Sequence, residues 1–492
     1  MSLINVQHLS FAYEGSYDPI FEDVSFQMDT NWKLGFTGRN GRGKTTFLRL
    51  LLGELDDGGA ISASVDFDYF PFPVQNEHGL TSEVVDEIVP HYEQWQLVRE
   101  LSLLQVAEEV LYRPFHTLSN GEQTKVLLAA LFLKEARFLL IDEPTNHLDM
   151  QAREQVSQYL RSKRGYILVS HDRSFLDNCV DHILSINRTH IDIQKGNFSD
   201  WWDNKQRQDE YELDQNARLK KDIKRLGEAA KRTSNWSHEV EKTKNGTLNS
   251  GSKVDKGYIG HMAAKMMKRS KSIQQRQESA MEEKSQLLHN IENAERLKIT
   301  QLAYHKNLLA EFDNVSISYG DRRVCSHVRF KIEQGDRIAI SGPNGSGKSS
   351  VLKLLTGEAL HYTGHLRVGS QLQISYVSQD TSHLHGKLSE YARISGIDES
   401  LFKSILRKLD FTRTQFEKDI SSFSAGQKKK VLIAKSLCER AHLHIWDEPL
   451  NFIDVISRMQ IEELLLQYKP TIVFVEHDRK FCSSIATKTI AL

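Results

Sequence analysis

The chain contains the segment Gly38-Arg39-Asn40-Gly41-Arg42-Gly43-Lys44-Thr45, and Gly342-Pro343-Asn344-Gly345-Ser346-Gly347-Lys348-Ser349 repeats its pattern 304 residues later. Both segments fit G-x-x-x-x-G-K-[S/T], follow a short apolar stretch and precede an apolar helical run, which is the context that a P-loop requires. Glycines let backbone N–H groups wrap phosphates, and the helix N-terminus adds partial positive charge. A glycine-rich turn is the alternative, and two matching copies argue against it.

Each P-loop supplies specific phosphate and metal contacts. Lys44 and Lys348 are expected to reach the β- and γ-phosphates of ATP, and the hydroxyls of Thr45 and Ser349 to hold Mg²⁺. The next residues of the two helices, Thr46 and Ser350, complete the predicted loops. ATP and Mg²⁺ are therefore the predicted cofactors.

Two further motifs recur in the same register. Asp142-Glu143-Pro144 is matched by Asp447-Glu448-Pro449 after 305 residues, and His171-Asp172-Arg173 by His477-Asp478-Arg479 after 306. Several motifs kept in register over a whole domain indicate a duplicated domain. The sequence predicts an α/β fold with two tandem P-loop domains, the first cassette (1–202) and the second cassette (307–492).

The acidic pairs follow apolar runs that are predicted to be buried strands. In parallel sheets, the carboxyl ends of the strands border the nucleotide crevice, so these acids are expected beside it. Asp142 and Asp447 are the candidate Mg²⁺ acids, and Glu143 and Glu448 are the candidate general bases for the attacking water. A helix N-cap is the plainer interpretation of an isolated acidic pair. The predicted γ-phosphate contacts are His171 and His477, which in isolation would read as structural histidines.

The segment Leu118-Ser119-Asn120-Gly121-Glu122-Gln123 is matched by Phe423-Ser424-Ala425-Gly426-Gln427-Lys428. A serine and a glycine at the head of a helix form an anion site. Together with the P-loops, these segments resemble the signature motif of ABC ATPases. That resemblance implies that the signature of one cassette closes on the P-loop of the other, so a single chain pairs its own cassettes as a monomer.

The resemblance implies two composite ATP sites. The first site would combine Lys44, Asp142, Glu143 and His171 with Ser424, Gly426 and Gln427. The second would combine Lys348, Asp447, Glu448 and His477 with Ser119, Gly121 and Glu122. Tyr13 and Tyr319 match the aromatic residue that stacks on adenine, and they read equally as tyrosines at a sheet edge. Gln379 matches the Q-loop glutamine of the second site, whereas the first cassette has Phe72 there, so the two sites are expected to differ in rate.

Residues 203–306 are predicted to form a helical linker between the cassettes. Leu219, Ile223 and Leu226 follow helical spacing, a seven-residue repeat runs from Ile273 to Ala294, and a loop-forming segment lies between them, which predicts an antiparallel hairpin. From Arg218 to Arg276 the linker has 16 Lys and Arg against 5 Asp and Glu, a net charge of +11, while the rest of the chain sums to −12. A charge surplus on an extended element indicates phosphate-backbone binding, although a solvated helix face is the plainer interpretation.

The composition of the 492 residues, 39% hydrophobic and 26% charged, is that of a soluble protein. There is no apolar run of the ~18 residues that a membrane-spanning helix needs, and the N-terminus has no secretory pattern. Four scattered cysteines lack metal-ligand spacing and predict reduced thiols in the cytoplasm.

Two cassettes joined by a charged helical linker, with Asp-Glu-Pro-Thr-Asn-His-Leu-Asp at 142–149, resemble the ABC-F family. The segments 1–5 and 32–43 are similar to its antibiotic-resistance branch, the Lsa-like lineage. This resemblance implies ATP-dependent binding of the 70S ribosome at the exit-tRNA site, with contacts to 23S rRNA and peptidyl-site tRNA. It also implies ribosomal protection from lincosamides, pleuromutilins and streptogramins A.

The resemblance places the linker tip, about 243–259, near the peptidyl-transferase centre. Its candidate contacts to RNA or the drug site are Lys244, Leu248, Lys253, Lys256 and Tyr258. Two alternatives remain open at this point. One is a housekeeping ABC-F factor that acts on stalled ribosomes, and the other is the ATPase subunit of a drug exporter.

Overall fold

The computed structural model describes residues 2–13, 19–56, 58–134, 136–146, 148–187, 190–243, 297–320 and 322–492, with single helical positions at 261, 265, 268, 271, 272, 275, 276 and 279. The chain forms two compact units. One comprises Met1–Trp201 together with Ala294–Leu492, and the other comprises Trp202–Asn293. Both cassettes therefore belong to one unit, and most of the linker belongs to the other.

The first cassette contains two sheets. A small antiparallel sheet has the order β2-β1-β4, formed by β1 (Leu3–Phe11), β2 (Phe21–Asp29) and β4 (Ala60–Ser62). A six-stranded sheet has the order β5-β6-β7-β3-β8-β9 and is parallel except for its last pair. Its strands are β3 (Lys33–Thr37), β5 (Asp66–Phe70), β6 (Arg137–Asp142), β7 (Tyr166–Val169), β8 (His182–Asn187) and β9 (His190–Lys195).

The second cassette repeats this arrangement. Its antiparallel sheet has the order β11-β10-β13, formed by β10 (Leu308–Tyr319), β11 (Arg322–Glu333) and β13 (His361–Val368). Its parallel sheet has the order β14-β15-β16-β12-β17. These strands are β12 (Arg337–Ser341), β14 (Ile374–Val377), β15 (Leu443–Asp447), β16 (Ile472–Val475) and β17 (Lys488–Ala491).

Helices cover the sheets and carry the motifs. In the first cassette they are α1 (Lys44–Leu51), α2 (Thr81–Ile88), α3 (Gln94–Leu103), α4 (Asn120–Leu133), α5 (Met150–Ser162) and α6 (Arg173–Cys179), followed by α7 (Phe198–Thr243). In the second they are α8 (Lys348–Leu355), α9 (Leu388–Ile394), α10 (Glu399–Lys408), α11 (Ala425–Cys438), α12 (Val455–Tyr468) and α13 (Arg479–Ile485). No described helix is long and apolar enough to span a membrane.

The parallel sheets place the motifs at one edge. Strand β3 lies between β7 and β8, and β12 lies between β16 and β17, so each P-loop follows an interior strand of its sheet. Strands β6 and β15, which carry the acidic pairs, are almost wholly buried. Apolar side chains of α1 and α8 pack against the sheets in the two hydrophobic cores and hold the P-loop helices in place.

The sheet register aligns the two Q-loop segments. Tyr69 pairs with Leu140 on β6, and Tyr376 pairs with Ile445 on β15, and each partner lies two residues before the Asp of its cassette. Phe72 is therefore the structural equivalent of Gln379. The predicted difference between the two Q-loops is present in the fold.

The linker is described in part. Its first limb is α7, a 46-residue helix that already begins at Phe198. The loop, the tip residues 244–259 and most of the seven-residue repeat lie outside the described residues. At the far end, Leu297 and Ile299 pack into the core of the second cassette, although the sequence assigned 297–306 to the linker. We keep the boundaries 202/203 and 306/307 as a proposal, since the compact units divide at 201/202 and 293/294.

Candidate ATP sites

Each P-loop forms an open cradle of backbone N–H groups. Gly41 and Gly43 have φ of 81° and 92°, and Gly345 and Gly347 have 82° and 93°, a left-handed conformation that glycine adopts without strain. Nothing lies within 4 Å of the position where a Cβ would stand at Gly41 or Gly345, so each loop leaves room for a ligand.

The two P-loop lysines are buried beneath these cradles. Lys44 Nζ donates to the carbonyl oxygens of Gly38 and Arg39 at 2.8 and 3.2 Å, and Lys348 Nζ donates to those of Gly342 and Pro343, both at 2.9 Å. Burial lowers the pKa of both lysines, while the neighbouring carboxylates oppose that shift. A phosphate anion would supply the charge partner that these ammonium groups need, so the loops fit ATP.

The acidic cluster of the first site is tied to the P-loop helix. Thr45 Oγ1 donates to Asp142 Oδ2 at 3.2 Å, and Tyr69 Oη donates to the same oxygen at 3.0 Å. His171 Nε2 lies 3.3 Å from Glu143 Oε1. The sequence did not assign a role to Tyr69, because its contact with Asp142 follows from strand register rather than from a motif.

The second site has a different network around its glutamate. Gln379 Nε2 and Asn451 Nδ2 donate to Glu448 Oε2 at 3.0 and 2.6 Å, and His477 Nε2 lies 3.4 Å from Glu448 Oε1. Asp447 Oδ1 is buried and has no hydrogen-bond partner among the described residues. The Ser349 hydroxyl makes a hydrogen bond to the same carboxylate. A carboxylate with one unpaired oxygen beside a hydroxyl group fits Mg²⁺, which prefers oxygen ligands.

Both glutamates have an unusual backbone. The φ of Glu143 is 52° and that of Glu448 is 47°, and residues other than glycine rarely adopt this left-handed conformation. The main-chain N–H groups of both donate to the adjacent strand, to Val169 and Val475. Strain of this kind, repeated at both sites, is expected where side-chain direction matters for function.

The electrostatics of the two glutamates differ. Burial and the neighbouring Asp142 raise the pKa of Glu143 to about 8. Burial would also raise the pKa of Glu448, but the hydrogen bond and charge of His477, with Lys429 and Lys348, hold it below the usual value. Burial raises the pKa of Asp447 to about 6. The pKa of the second-site glutamate is therefore the lower of the two.

The second composite site is assembled across the cassettes. Its cavity of about 840 Å³ is lined from the second cassette by Lys348, Ser349, Gln379, Glu448 and His477, and from the first by Ser119, Gly121 and Glu122. Ser119 and Ser424 cap their helices identically, and each accepts a hydrogen bond from the N–H three residues on, at Glu122 or Gln427. The structure therefore brings these residues together at one cavity, whereas Asp447, which the resemblance also assigned to this site, does not line it.

The first composite site is closed against its signature segment. Its cavity of about 550 Å³ is lined by first-cassette residues, including Tyr13, Lys44, Thr45, Asp142, Glu143 and His171. Ser424, Gly426 and Gln427 do not line this cavity. A Cβ at Gly426 would stand 3.0 Å from Asn40 Nδ2, so the signature does meet the P-loop of the first cassette, in direct contact.

The candidate adenine tyrosines lie beside their P-loop helices. Tyr13 Oη is 3.0 Å from Thr46 Oγ1, and Tyr319 Oη is 3.2 Å from Ser350 Oγ. Their side chains are 46% and 48% exposed, which leaves a ring face available for stacking. Phe72, by contrast, lines a separate cavity next to the first site. The individual roles of all these residues remain predictions.

Comparison with known proteins agrees with this architecture. The family model described as ABC transporter matches residues 21–146 and again 325–451. The chain is 29% identical to the ribosome protection protein VmlR of Bacillus subtilis, over 98% of this chain and 85% of that protein. It is 26% identical to the ATP-binding protein Uup of Caulobacter vibrioides, over 96% of this chain and 75% of that one.

Solved structures share the fold. The archaeal ribosome recycling factor aABCE1, solved with the ribosomal stalk protein aP1, superimposes with a TM-score of 0.63 at 18% identity, over 98% of this chain and 87% of that one. A structure titled RNase-L Inhibitor superimposes with a TM-score of 0.62 at 18% identity, over 99% of this chain and 87% of that one. The matched residues cover both P-loops and both acidic pairs, and the activity of such domains is Mg²⁺-dependent hydrolysis of ATP. The chain therefore belongs to the ABC transporter family of ATPases and contains two ABC ATPase domains.

Proposed function

We propose that the protein is an ABC-F ATPase that binds the ribosome in the cytoplasm and protects it from lincosamides, pleuromutilins and streptogramins A. The observation that carries this proposal is the net charge of +11 on residues 218–276 of the linker, against −12 for the rest of the chain. The similarity to VmlR, named a ribosome protection protein, supports the same function. So does the likeness of the fold to a structure titled as a model of ribosome-bound archaeal Pelota and ABCE1.

The chain's own residues divide the ATPase work. Lys44 and Lys348 neutralise phosphate charge, and the hydroxyl and carboxylate pairs Thr45–Asp142 and Ser349–Asp447 would hold Mg²⁺, which supplies charge neutralisation at the phosphates. Glu143 and Glu448 accept a proton from the attacking water, and His171 and His477 orient them. Opposite signatures complete each site, so binding of ATP favours closed cassettes and hydrolysis releases them.

The linker is the part that recognises RNA in this proposal. Helix α7 carries Lys220, Lys221 and Arg225, which are all exposed. Contacts from such residues to phosphates fix position and orientation without reading sequence. A 46-residue helix extends over about 70 Å at 1.5 Å per residue. The tip residues would then act at the exit-tRNA site, toward the peptidyl-transferase centre.

Deletion of residues 245–257 tests the tip. We expect a strain that expresses this variant to lose protection from the three drug classes, while the purified variant keeps its ATPase activity. Drug susceptibility and phosphate release measure the two properties. A Glu143→Gln, Glu448→Gln variant with an intact linker is the matched control, and an antibiotic that does not act on the ribosome controls for general sensitivity. Simultaneous loss of protection and ATPase activity would contradict a separable tip.

A further inference from the structure

The two ATP sites differ in the contacts that join their cassettes. At the first site, Arg39 Nη1 of the P-loop lies 3.2 Å from Asp410 Oδ1 of the second cassette, with the two side chains 7% and 23% exposed. Beside it, Asn40 Nδ2 donates to the carbonyl oxygen of Phe452 at 2.8 Å. We name Arg39, Asn40, Asp410 and Phe452 the first-site latch. It joins the cassettes through protein atoms alone.

The backbone of the second cassette is shaped for this contact. Phe452 has φ of 63°, a conformation that is unfavourable for an aromatic residue and that turns its carbonyl group toward Asn40. A Cβ at Gly426 would stand 2.2 Å from the Phe452 oxygen, so the signature glycine is packed directly beneath it. The signature glycine and Phe452 therefore both lie against Asn40. At the second site the counterpart of Phe452 is residue 147, which lies outside the described residues; among the described residues, a Cβ at Gly121 would meet Leu148 at 3.5 Å.

The charged part of the latch has no counterpart at the second site. Pro343 occupies the position of Arg39, and Ser346 that of Arg42. Gln105 is the structural equivalent of Asp410, since both follow a helix with positive φ, and the next residues, Val106 and Phe411, make the same backbone hydrogen bond to their helices. Gln105 Oε1 accepts a hydrogen bond from Gln155 Nε2 of its own cassette at 2.5 Å.

A second ion pair shows the same asymmetry. Arg173, just beyond the first-site histidine, forms a buried ion pair with Glu462 of the second cassette. The corresponding Arg479 pairs with Glu154 at 3.8 Å, with side chains 78% and 46% exposed. Exposed ion pairs contribute little to the stability of an interface, whereas buried charge-assisted hydrogen bonds hold its two sides together more strongly. Burial raises the pKa of Asp410, and the charges of Arg39 and Arg42 oppose that rise, so both P-loop arginines act on it.

We propose that Arg39 and Asp410 are positioning residues that keep the first site closed, so that it releases nucleotide slowly and acts as the hinge about which the second site opens. The second site, with its larger cavity shared by both cassettes, exchanges nucleotide quickly. This inference rests on the proposed pairing of P-loops with opposite signatures, and it does not depend on the ribosome. It assigns the non-equivalence of the sites to this interface as well as to the missing Q-loop glutamine.

Release of a fluorescent ATP analogue from the purified Glu143→Gln, Glu448→Gln protein tests the inference. We expect two phases of equal amplitude, with the slow phase absent after Lys44→Ala and the fast phase absent after Lys348→Ala. Asp410→Asn should accelerate the slow phase by roughly tenfold, as loss of a charged hydrogen bond implies, and leave the fast phase unchanged. Asp410→Glu should restore slow release, and Glu154→Gln, at the exposed ion pair, is the control that should change neither phase.

A transplant variant makes the test independent of the folding of Asp410→Asn. Pro343→Arg with Gln105→Asp places the same charge pair at the second site, and we expect it to slow the fast phase. A single release phase in the parent protein, a slow phase that belongs to the second site, or equal effects of Asp410→Asn and Glu154→Gln would each overturn the inference. Because no ribosome is present, these outcomes are separate from success or failure of the proposed protective function.

Discussion

At the scale of single residues, Glu143 and Glu448 bear the proposed chemistry. Both have strained backbones and histidine partners, yet their carboxylates differ in hydrogen bonding. We expect each single change to Gln to slow ATP hydrolysis partially, and the double change to slow it by about 10²–10⁴, the usual effect of a general base. Phosphate release measures hydrolysis, and filter binding checks that ATP is still bound. A double variant that hydrolyses ATP at the parent rate would show that neither glutamate is the base.

A buried histidine makes the stability of the second cassette depend on pH. His444 on β15 is fully buried, and burial lowers its pKa to about 4. In the unfolded chain, His444 binds a proton below its ordinary pKa of 6.5. In the folded protein, His444 stays neutral down to about pH 4. Stability is therefore complete above pH 6.5 and falls by about 3 kcal/mol as the pH drops to 4.

The His444→Phe variant isolates this effect. Ser436, which lies beside His444, keeps its hydrogen bonds to Ser375 and Trp446 in the variant. We expect the urea midpoint of the second cassette to fall more steeply with acid in the parent protein than in the variant. Parallel profiles between pH 7 and 4.5 would contradict a neutral, buried His444.

At the scale of elements, the glycines of the two signature helices can be compared for how tightly they are packed. Gly426→Ala places a methyl group against the carbonyl of Phe452, and we expect it to cost about 1–3 kcal/mol, as overpacking does. Gly121→Ala is the matched change on α4, where the neighbour among the described residues is Leu148 at 3.5 Å and a helical alanine is favourable. Thermal unfolding of the nucleotide-free proteins compares them. Equal destabilisation by both changes would contradict tighter packing around Gly426 than around Gly121.

The motifs could be predicted from the sequence because each requires a fixed residue order within a few positions. Lys44, Glu143 and His171 were recognisable in this way, and their duplicates established the tandem fold. The Tyr69–Asp142 bond could not be predicted, since it depends on how β5 and β6 align. Nor could Arg39–Asp410, because it depends on how two cassettes dock. The sequence did show the arginines that replace proline and serine in the first P-loop.

At the scale of the whole molecule, ATP is expected to couple the closing of the two cassettes to a positively charged linker. Closed cassettes would present the linker to the ribosome in one orientation, and its surplus charge would release counterions from RNA phosphates. Affinity for the ribosome should therefore depend on both nucleotide and salt. The cassettes alone, with net negative charge, have no comparable means of binding RNA.

Ribosome co-sedimentation of the Glu143→Gln, Glu448→Gln variant, with and without ATP across a salt series, tests this account most directly. We expect the variant to pellet with 70S ribosomes only when ATP is present and progressively less as salt increases. The Lys44→Ala, Lys348→Ala protein, designed not to bind ATP, is the control that should stay in the supernatant. Absence of pelleting by a variant that binds ATP and closes its cassettes would contradict a ribosomal function.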